Sequence, residues 1–213
     1  MSTSPVTAAV ANLLTSAGPH DASVAEGRET PQVRALVEAA RAGDREAFGD
    51  LVTLHQRVVY RTALAALGTP EDAEDATQEA FVVAWQKLPG FRGDAMFRTW
   101  LLTIVWRKAL DRRRQRRAWW QRTQSARTTA FDPLDLLPVD SPDPERAALS
   151  RDMAERVRDE IVRLSPKLKD TLLLASSGEH TYEEIARLLG VPLGTVKWRV
   201  AEARRLVLER LND

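Results

Sequence analysis

None of the 213 residues of the chain is cysteine. A disulfide framework, a thiolate zinc site and a cysteine nucleophile are therefore excluded, and the chain suits a reducing compartment. No apolar run approaches the roughly 20 residues that are needed to cross a bilayer. The N-terminal stretch also lacks the basic start and the sustained apolar core of a signal peptide. We expect a cytoplasmic protein without membrane insertion.

Residue types that build metal or nucleotide sites are also scarce. The three histidines, His20, His55 and His180, have no metal-ligand spacing, and no glycine-rich phosphate loop is present. The one enzymatic interpretation uses the carboxylates between Glu71 and Glu79 as metal ligands of a nuclease or transposase. Neighbouring carboxylates on one helix fan around its axis, however, and do not converge on an ion. We therefore expect no catalysis, no cofactor and no small-molecule substrate.

No strand pattern occurs, whereas apolar residues recur every three or four positions, which predicts an all-α fold. Four helices are expected in the first half of the chain, separated at Gly43-Asp44, Thr69-Pro70 and Pro89-Gly90. Further helices follow after a lapse in the spacing, so we expect two small helical domains. The predicted boundaries are 1–30 for a disordered tail, 31–117 for the first domain, 118–144 for a linker and 145–213 for the second domain.

Charge is unevenly distributed, although the formal net charge is only +1. From Arg92 to Arg127 there are eleven basic residues and two acidic ones, whereas from Phe131 to Glu145 there are five acidic residues and no basic one. The acidic stretch also contains several prolines, which disfavour helix. We expect a flexible acidic linker between two domains that each carry a basic surface.

The segment TYEEIARLLGVPLGTVKWRVAEARR, which begins at Thr181, has the form of a helix-turn-helix. Thr181 and Glu184 form a capping-box pattern, and Gly190 suits the turn. Helical spacing predicts that the last helix buries Val196, Val200, Ala203 and Val207 and turns Trp198, Ala201, Glu202 and Arg205 outward. This outward face suits the major groove of DNA, and the alternative is a helical hairpin with a solvated charged face.

The segment from Arg98 to Trp120 holds four of the six tryptophans among many arginines. On an ideal helix Phe97, Leu101, Ile104 and Val105 mark the core side, and Trp106 lies roughly opposite. An outward indole beside arginines is suited to stack on unpaired bases while the guanidinium groups hold phosphates. We therefore predict that Trp106 faces opened DNA, the alternative being that it packs against the protein.

Taken together, these segments resemble the extracytoplasmic-function group of sigma factors in the sigma-70 family. The motifs that carry the resemblance are GDREAF from Gly43, DAEDATQEAFVVAW from Asp72, FRGDAMFRTWLLTI from Phe91, ALDRRR from Ala109, LSPKLKDTLLL from Leu164 and the helix-turn-helix segment. The resemblance covers residues 31–117, which correspond to sigma region 2, and residues 145–211, which correspond to region 4.

The resemblance implies that the chain binds core RNA polymerase, directs it to promoters and aids promoter opening. By position, the acidic helix would dock on the clamp helices of the polymerase through Asp72, Asp75, Gln78 and Glu79. An acidic, partly exposed helix face suits a basic partner. The acidic linker resembles the segment that threads toward the polymerase channels. An anti-sigma factor is a further expected partner, because sigma factors of this group are commonly held inactive by one.

The same correspondence assigns contacts with promoter DNA. The loop from Phe91 to Ala95 and the helix after it match the minus-10 reader, and the last helix matches the minus-35 reader. The candidate minus-10 residues are Arg92, Arg98, Trp106, Arg107, Lys108, Arg112 and Arg113. The candidate minus-35 residues are Thr195, Lys197, Trp198, Arg199, Ala201, Glu202 and Arg205.

Three positions depart from the family's pattern. Trp198 stands where a small residue such as serine is common, Glu202 where a basic residue is frequent, and Arg107 where asparagine is usual. Trp198 would contact thymine methyls and Glu202 a cytosine amino group, or either would serve an inhibitor interface. The alternative function is a free-standing regulator that binds duplex DNA through residues 181–206 and senses a signal through the first domain.

Overall fold

The structure is a computed structural model that describes residues 29–123 and 155–212. The chain divides into two compact units, and these two ranges belong to different units. Every regular element in the two ranges is helical, which confirms the predicted all-α class. The predicted tail up to residue 28 and the predicted linker at 124–144 lie outside the described residues.

The first unit is built from α1 (Pro31–Arg41), α2 (Arg45–Leu67), α3 (Pro70–Lys87) and α4 (Phe97–Thr123). A short 3-10 turn, Leu88–Gly90, follows α3. Helices α2, α3 and α4 pack against one another, and α1 packs on α2. Their core contains the fully buried Leu51, Leu64 and Leu101, each contributing about 1.5–3 kcal/mol of transfer free energy. The four helices that the sequence predicts in this unit are confirmed.

Local signals place the breaks between these helices. Gly43 has a φ of 101°, a conformation that glycine adopts without strain. The carboxylate of Asp44 then accepts hydrogen bonds from the backbone N–H groups of Glu46 and Ala47, at 2.8 and 3.1 Å. Thr69 is the N-cap of α3 as predicted, but its hydroxyl donates to the carboxylate of Asp72 at 2.8 Å. Thr69 thus helps to fix the carboxylate of Asp72 in the first turn of the acidic helix.

Two predicted domain boundaries differ from the structure. Thr30 caps α1, with its hydroxyl accepting from the N–H of Val33 at 3.3 Å, and the Glu29 carboxylate accepts from the N–H of Phe97 at 2.7 Å. Residues 29 and 30 therefore belong to the first unit and not to the tail. Helix α4 continues to Thr123, so residues 118–123 are helical and not linker. Arginine, glutamine and alanine favour helix, and the loss of apolar spacing alone does not end one.

The second unit contains α5 at residues 155–162, α6 (Pro166–Ser176), α7 (Tyr182–Leu189) and α8 (Leu193–Asn212). The capping box at the start of α7 is confirmed, because Thr181 and Glu184 each accept a hydrogen bond from the other's backbone N–H group. Gly190 ends α7 with a φ of 65°. Helices α6, α7 and α8 are in mutual contact.

No helix within residues 29–123 or 155–212 combines the length and the apolarity that a membrane span requires.

Candidate partner-binding and nucleic-acid surfaces

The outward face of α8 is arranged as the helical spacing predicts. Val196, Val200, Ala203 and Val207 are buried, which turns the opposite side of the helix to solvent. Trp198 is 61% exposed on that side. Of the other candidate minus-35 residues, those that are exposed are Lys197, Ala201 and Arg205, and those that are half-buried are Thr195, Arg199 and Glu202.

Two of these candidates, Glu202 and Arg205, are bound to each other. Arg205 donates from Nε and Nη2 to the two carboxylate oxygens of Glu202 at 2.9 and 2.7 Å, and from Nη1 to Glu209 at 2.6 Å. The hydrogen bond from Arg205 lowers the pKa of the Glu202 carboxyl. The same bond, followed by the one to Glu209, raises the pKa of the Arg205 guanidinium. The carboxylate of Glu202 is therefore charged and engaged within its own helix.

Helix α3 presents a stripe of exposed side chains at a spacing of three, four and seven residues: Asp75, Gln78, Glu79 and Val82. Val82 is 57% exposed, although it is apolar. Together with Val83 and Lys108 these residues line a shallow depression. The α3 stripe therefore combines two carboxylates with an exposed apolar side chain.

Three carboxylates of α3 contact the same arginine of α4. Arg112 contacts Asp75 at 2.6 Å, Glu79 at 3.1 Å and Asp72 at 3.4 Å. The Arg112 side chain is 30% exposed, whereas Asp75 and Glu79 are 59% and 54% exposed. One guanidinium thus faces three carboxylates, of which Asp75 and Glu79 keep more than half of their surface open to solvent while Asp72 is 27% exposed.

Two further cations join α4 to the same carboxylates. Arg116 binds Asp72 at 2.6 Å, and Lys108 lies 3.6 Å from Glu79. Within residues 29–123 and 155–212 no group of three or more potential ligands is placed to hold a metal ion. Of the carboxylates between Glu71 and Glu79, Asp72, Asp75 and Glu79 contact guanidinium groups of α4.

The remaining basic candidates of the first unit differ in their surroundings. Arg113 donates to the backbone carbonyl of Ala66, near the end of α2, at 3.3 Å. Arg92 lies 3.6 Å from Asp94 within the exposed loop. Arg107 is exposed and Arg98 is half-buried. Arg92 and Arg107 are therefore the most accessible of the seven candidate minus-10 residues.

The predicted outward position of Trp106 is wrong. Trp106 is 3% exposed, and Leu102 and Ala109, its neighbours on the same side of α4, are also buried. The helical-wheel argument assumes one buried face, but α4 packs against both α2 and α3. Two faces of its first half are consequently buried, and Trp106 belongs to the core and not to a DNA-contact surface.

Aromatic packing anchors the loop that the resemblance assigns to the minus-10 element. Phe91 and Phe97 are buried at its two ends, with ring centroids 6.1 Å apart, and Trp100 lies 5.0 Å from Phe91. Between them, residues 92–95 are exposed. A rigid base therefore holds a short solvent-facing loop.

His55 lies beneath this aromatic cluster, with its ring centroid 5.5 Å from that of Phe97. Burial, together with the positive charge of Arg98, lowers the pKa of His55 to about 4. Its buried Nε2 has no hydrogen-bond partner among the described residues. His55 is therefore a neutral core residue at neutral pH.

Two residues of these surfaces, Val82 and Arg116, are not among the candidates that the sequence predicts. Val82 was taken only as part of a helix, although its spacing from Asp75 and Gln78 places it in the α3 stripe. The contact of Arg116 with Asp72 had no local signal, because 44 residues separate the two positions. Only the packing of α3 against α4 brings them together.

Two family models match the chain. Sigma-70 region 2 matches residues 51–119 and sigma-70 region 4 matches residues 154–207. The first match covers most of α2 together with α3 and most of α4, and the second covers the helix-turn-helix. Each match thus falls on one of the two units.

The chain is similar to known sigma factors over more than four fifths of its length. The chain is 35% identical over 179 residues to the ECF RNA polymerase sigma factor SigM of Mycobacterium tuberculosis, covering 84% of each protein. It is 28% identical over 182 residues to the ECF RNA polymerase sigma factor SigW of Bacillus subtilis, covering 85% of this chain and 97% of that protein.

Among solved structures, the chain is similar to CnrH in its complex with the cytosolic domain of CnrY. The TM-score is 0.57 and the identity 26%, over 85% of this chain and 97% of that one. The two matched regions, the relatives and this structural likeness agree with one another. The chain therefore belongs to the extracytoplasmic-function group of sigma-70 family RNA polymerase sigma factors, which direct promoter-specific initiation of transcription.

Proposed function

We propose that three surfaces of this sigma factor divide its task. The α3 stripe docks on core RNA polymerase, the loop at residues 91–95 and the accessible part of α4 contact the minus-10 element, and the outward face of α8 contacts the minus-35 element. The chain would act in the cytoplasm, where polymerase and chromosome are. Its role requires no catalytic group of its own, because bond formation belongs to the polymerase.

The composition of the α3 stripe is the observation that carries the docking proposal. Asp75 and Glu79 are more than half exposed, and Val82 beside them is 57% exposed. A protein interface typically has an apolar centre with charges arranged around it. Carboxylates around an exposed valine therefore suit a partner surface that is basic and partly apolar.

For the minus-10 element, the structure favours a smaller set of contacts than the sequence does. Arg92 and Arg107 are exposed, and Arg92 directly follows Phe91, whose ring packs on Trp100. Arg112 and Lys108 lie among the carboxylates of α3, and Arg113 faces a backbone carbonyl. We propose Arg92 and Arg107, with the half-buried Arg98, as the first contacts with DNA phosphates.

For the minus-35 element, α8 has the features of a recognition helix. It follows the turn at Gly190, packs one side into the second unit and exposes Trp198 between Lys197 and Arg199. Cations beside an exposed helix face suit the phosphates that border a major groove. Residues 181–206 would thus position α8 in duplex DNA.

An anti-sigma factor is proposed as a further partner. CnrH, to which the chain is similar, was solved with the cytosolic domain of a second protein, CnrY. A protein that covers the α3 stripe or the face of α8 would block one of the proposed contacts.

The docking proposal is tested by reversing the charge of the α3 stripe. We expect the double variant Asp75→Arg, Glu79→Arg to lose at least about tenfold in affinity for sigma-free core polymerase, because attraction to a basic partner becomes repulsion. Binding would be measured by fluorescence anisotropy of the labelled chain. Circular dichroism would check that the variant remains folded.

The matched control is Asp50→Arg, an exposed carboxylate of α2 outside the stripe. Because the control reverses one charge and the double variant two, a loss in log affinity half as large in the control would show that only net charge matters. Unchanged affinity in the double variant would remove the α3 stripe from the docking surface. A wild-type chain that ignores core polymerase and binds promoter duplex tightly by itself would favour the free-standing regulator.

A further inference from the structure

Trp198 is the most exposed of the large apolar side chains in the part of the chain that the structure describes, at 61%. It lies in the first half of α8, between Val196 and Val200, which are 0% and 2% exposed. These two buried residues fix the rotation of the helix, so the indole faces away from the second unit. Burial of an indole stabilises proteins strongly, and this exposed indole is available for a contact outside the unit.

The neighbours of Trp198 on the helix surface leave the indole prominent. Residues three and four positions away on a helix are adjacent in space. For Trp198 these are Gly194, Thr195, Ala201 and Glu202, and the first three are small. The indole therefore extends beyond the side chains around it and would be the first group of this face to meet a flat surface or a groove.

The ionic groups near Trp198 are less available for reading bases. Both carboxylate oxygens of Glu202 accept hydrogen bonds from Arg205, and Arg205 also binds Glu209. Charge-assisted bonds of this bidentate kind are among the stronger hydrogen bonds in proteins. For Glu202 to accept from a cytosine amino group, or Arg205 to donate to guanine, this pair would first have to open. The structure thus favours the apolar group of the face as the reader of sequence.

Base pairs present one apolar group in the major groove, the C5 methyl of thymine. We propose that Trp198 selects thymine at one position of the upstream promoter element by packing its indole on that methyl group, while Lys197 and Arg199 hold the flanking phosphates. This rests on the proposed function, in which α8 enters the major groove at the minus-35 element. Base choice at that position would depend on shape and methyl contact and not on a hydrogen bond.

The test removes only the methyl group. A promoter is first recovered by sequencing the transcripts that core polymerase plus this chain makes from genomic DNA. Each thymine of its upstream element is then replaced by uracil, which keeps base pairing and lacks the methyl. Affinity of the holoenzyme for each duplex is measured by competition. We expect one replacement to weaken binding about three- to fivefold, as the loss of one buried methyl group predicts.

The substitution Trp198→Ala supplies the decisive comparison, and its fold is expected to be intact because the side chain is exposed. The variant should bind the thymine promoter as weakly as the wild type binds the uracil promoter, and uracil should have no further effect on it. Arg199→Gln is the matched control. It should weaken binding to both duplexes equally, since a phosphate contact carries no base information.

Three results would overturn the inference: an upstream element without thymine, a wild type that is insensitive to uracil at every position, or a Trp198→Ala variant that keeps the wild-type sensitivity. The last two would leave a protein partner as the occupant of Trp198. Failure of the proposed function is recognised separately, because the holoenzyme would then fail to form or would protect no upstream element in a footprint.

Discussion

Helix α4 of the first unit and helix α8 of the second both carry arginines that the sequence assigns to DNA. In each helix one of these arginines, Arg112 or Arg205, forms ion pairs with carboxylates instead. The partners of Arg205 are three and four residues away on the same helix. The partners Asp75 and Glu79 of Arg112 are 37 and 33 residues away on α3. The ion pairs of Arg205 are thus local, whereas those of Arg112 are tertiary.

This difference has a consequence for binding. Glu202 and Glu209, the partners of Arg205, lie on α8 itself, so opening these ion pairs affects α8 alone. Asp75 and Glu79, which contact Arg112, belong to the α3 stripe that is proposed to dock on polymerase. A basic partner must therefore share these carboxylates with the Arg112 guanidinium or displace it. Arg112 would then compete with polymerase for Asp75 and Glu79.

Trp106 of α4 and Trp198 of α8 should respond to substitution in opposite ways. We expect Trp106→Ala to lower the free energy of unfolding by about 3–5 kcal/mol, because it leaves a cavity in the core of the first unit. Trp198→Ala should change it by less than about 0.5 kcal/mol, as an exposed surface substitution does. Urea denaturation followed by circular dichroism measures both. Equal losses would mean that exposure does not distinguish these residues.

The first unit should lose stability in acid because of His55. Its pKa in the folded chain is about 4, below the ordinary value of 6.5. Between these values the unfolded chain binds a proton at His55 that the folded chain does not, so the free energy of unfolding falls as the pH decreases through that window. The full effect is about 3 kcal/mol at 1.36 kcal/mol per pKa unit.

The variant His55→Gln isolates this effect, because it removes the titration and keeps a polar side chain of similar size. We expect the difference in stability between wild type and variant to change between pH 6.5 and 4 and to be constant above pH 6.5. Parallel stability curves for the two proteins across this range would contradict the assignment.

The competition at α3 makes an arginine substitution favourable for binding. We expect Arg112→Gln to tighten the affinity for core polymerase about two- to fivefold, because it frees the carboxylates of the docking face; this corresponds to about 0.4–1 kcal/mol. Glu79→Gln should weaken the affinity. Arg205→Gln is the matched control, since its carboxylates lie on α8 and outside the docking face. If the Arg112→Gln variant binds core polymerase less tightly than wild type, Arg112 does not compete with polymerase for these carboxylates.

The smallest expected effect concerns salt. We expect Arg107→Gln to reduce the slope of log affinity for promoter DNA against log salt by about one unit, as the loss of one phosphate contact predicts. Arg113→Gln should change the slope less, because Arg113 is turned toward the carbonyl of Ala66. Holoenzyme affinities over a series of potassium chloride concentrations give both slopes. Equal changes would restore Arg113 as a phosphate contact.

Much of the architecture was predictable because its signals are local. The breaks at Gly43-Asp44 and Thr69-Pro70, the capping box at Thr181 and the buried side of α8 all depend on residues a few positions apart. A cap or an apolar stripe acts within one or two turns, so the printed order of residues nearly determines it. The predicted end of α4 at residue 117 was too early, because residues 118–123 are helical although they lack an apolar stripe.

The orientation of Trp106 was not predictable in this way. A helical wheel ranks positions around one axis and takes the core to lie on one side. Helix α4 instead has α2 and α3 as neighbours, and two sides of it are buried. Leu102, Trp106 and Ala109 do form a second apolar stripe at helical spacing, but whether that stripe is covered depends on the second neighbour of α4.

The sequence by itself determined the helical class, the caps and the outward position of Trp198 on the last helix, because each depends on residues a few positions apart in the chain. The tertiary structure alone decided that Arg112 meets three carboxylates of α3, that Trp106 is buried and that Glu29 accepts from the N–H of Phe97. These contacts join residues tens of positions apart, and their distances exist only once the helices have packed.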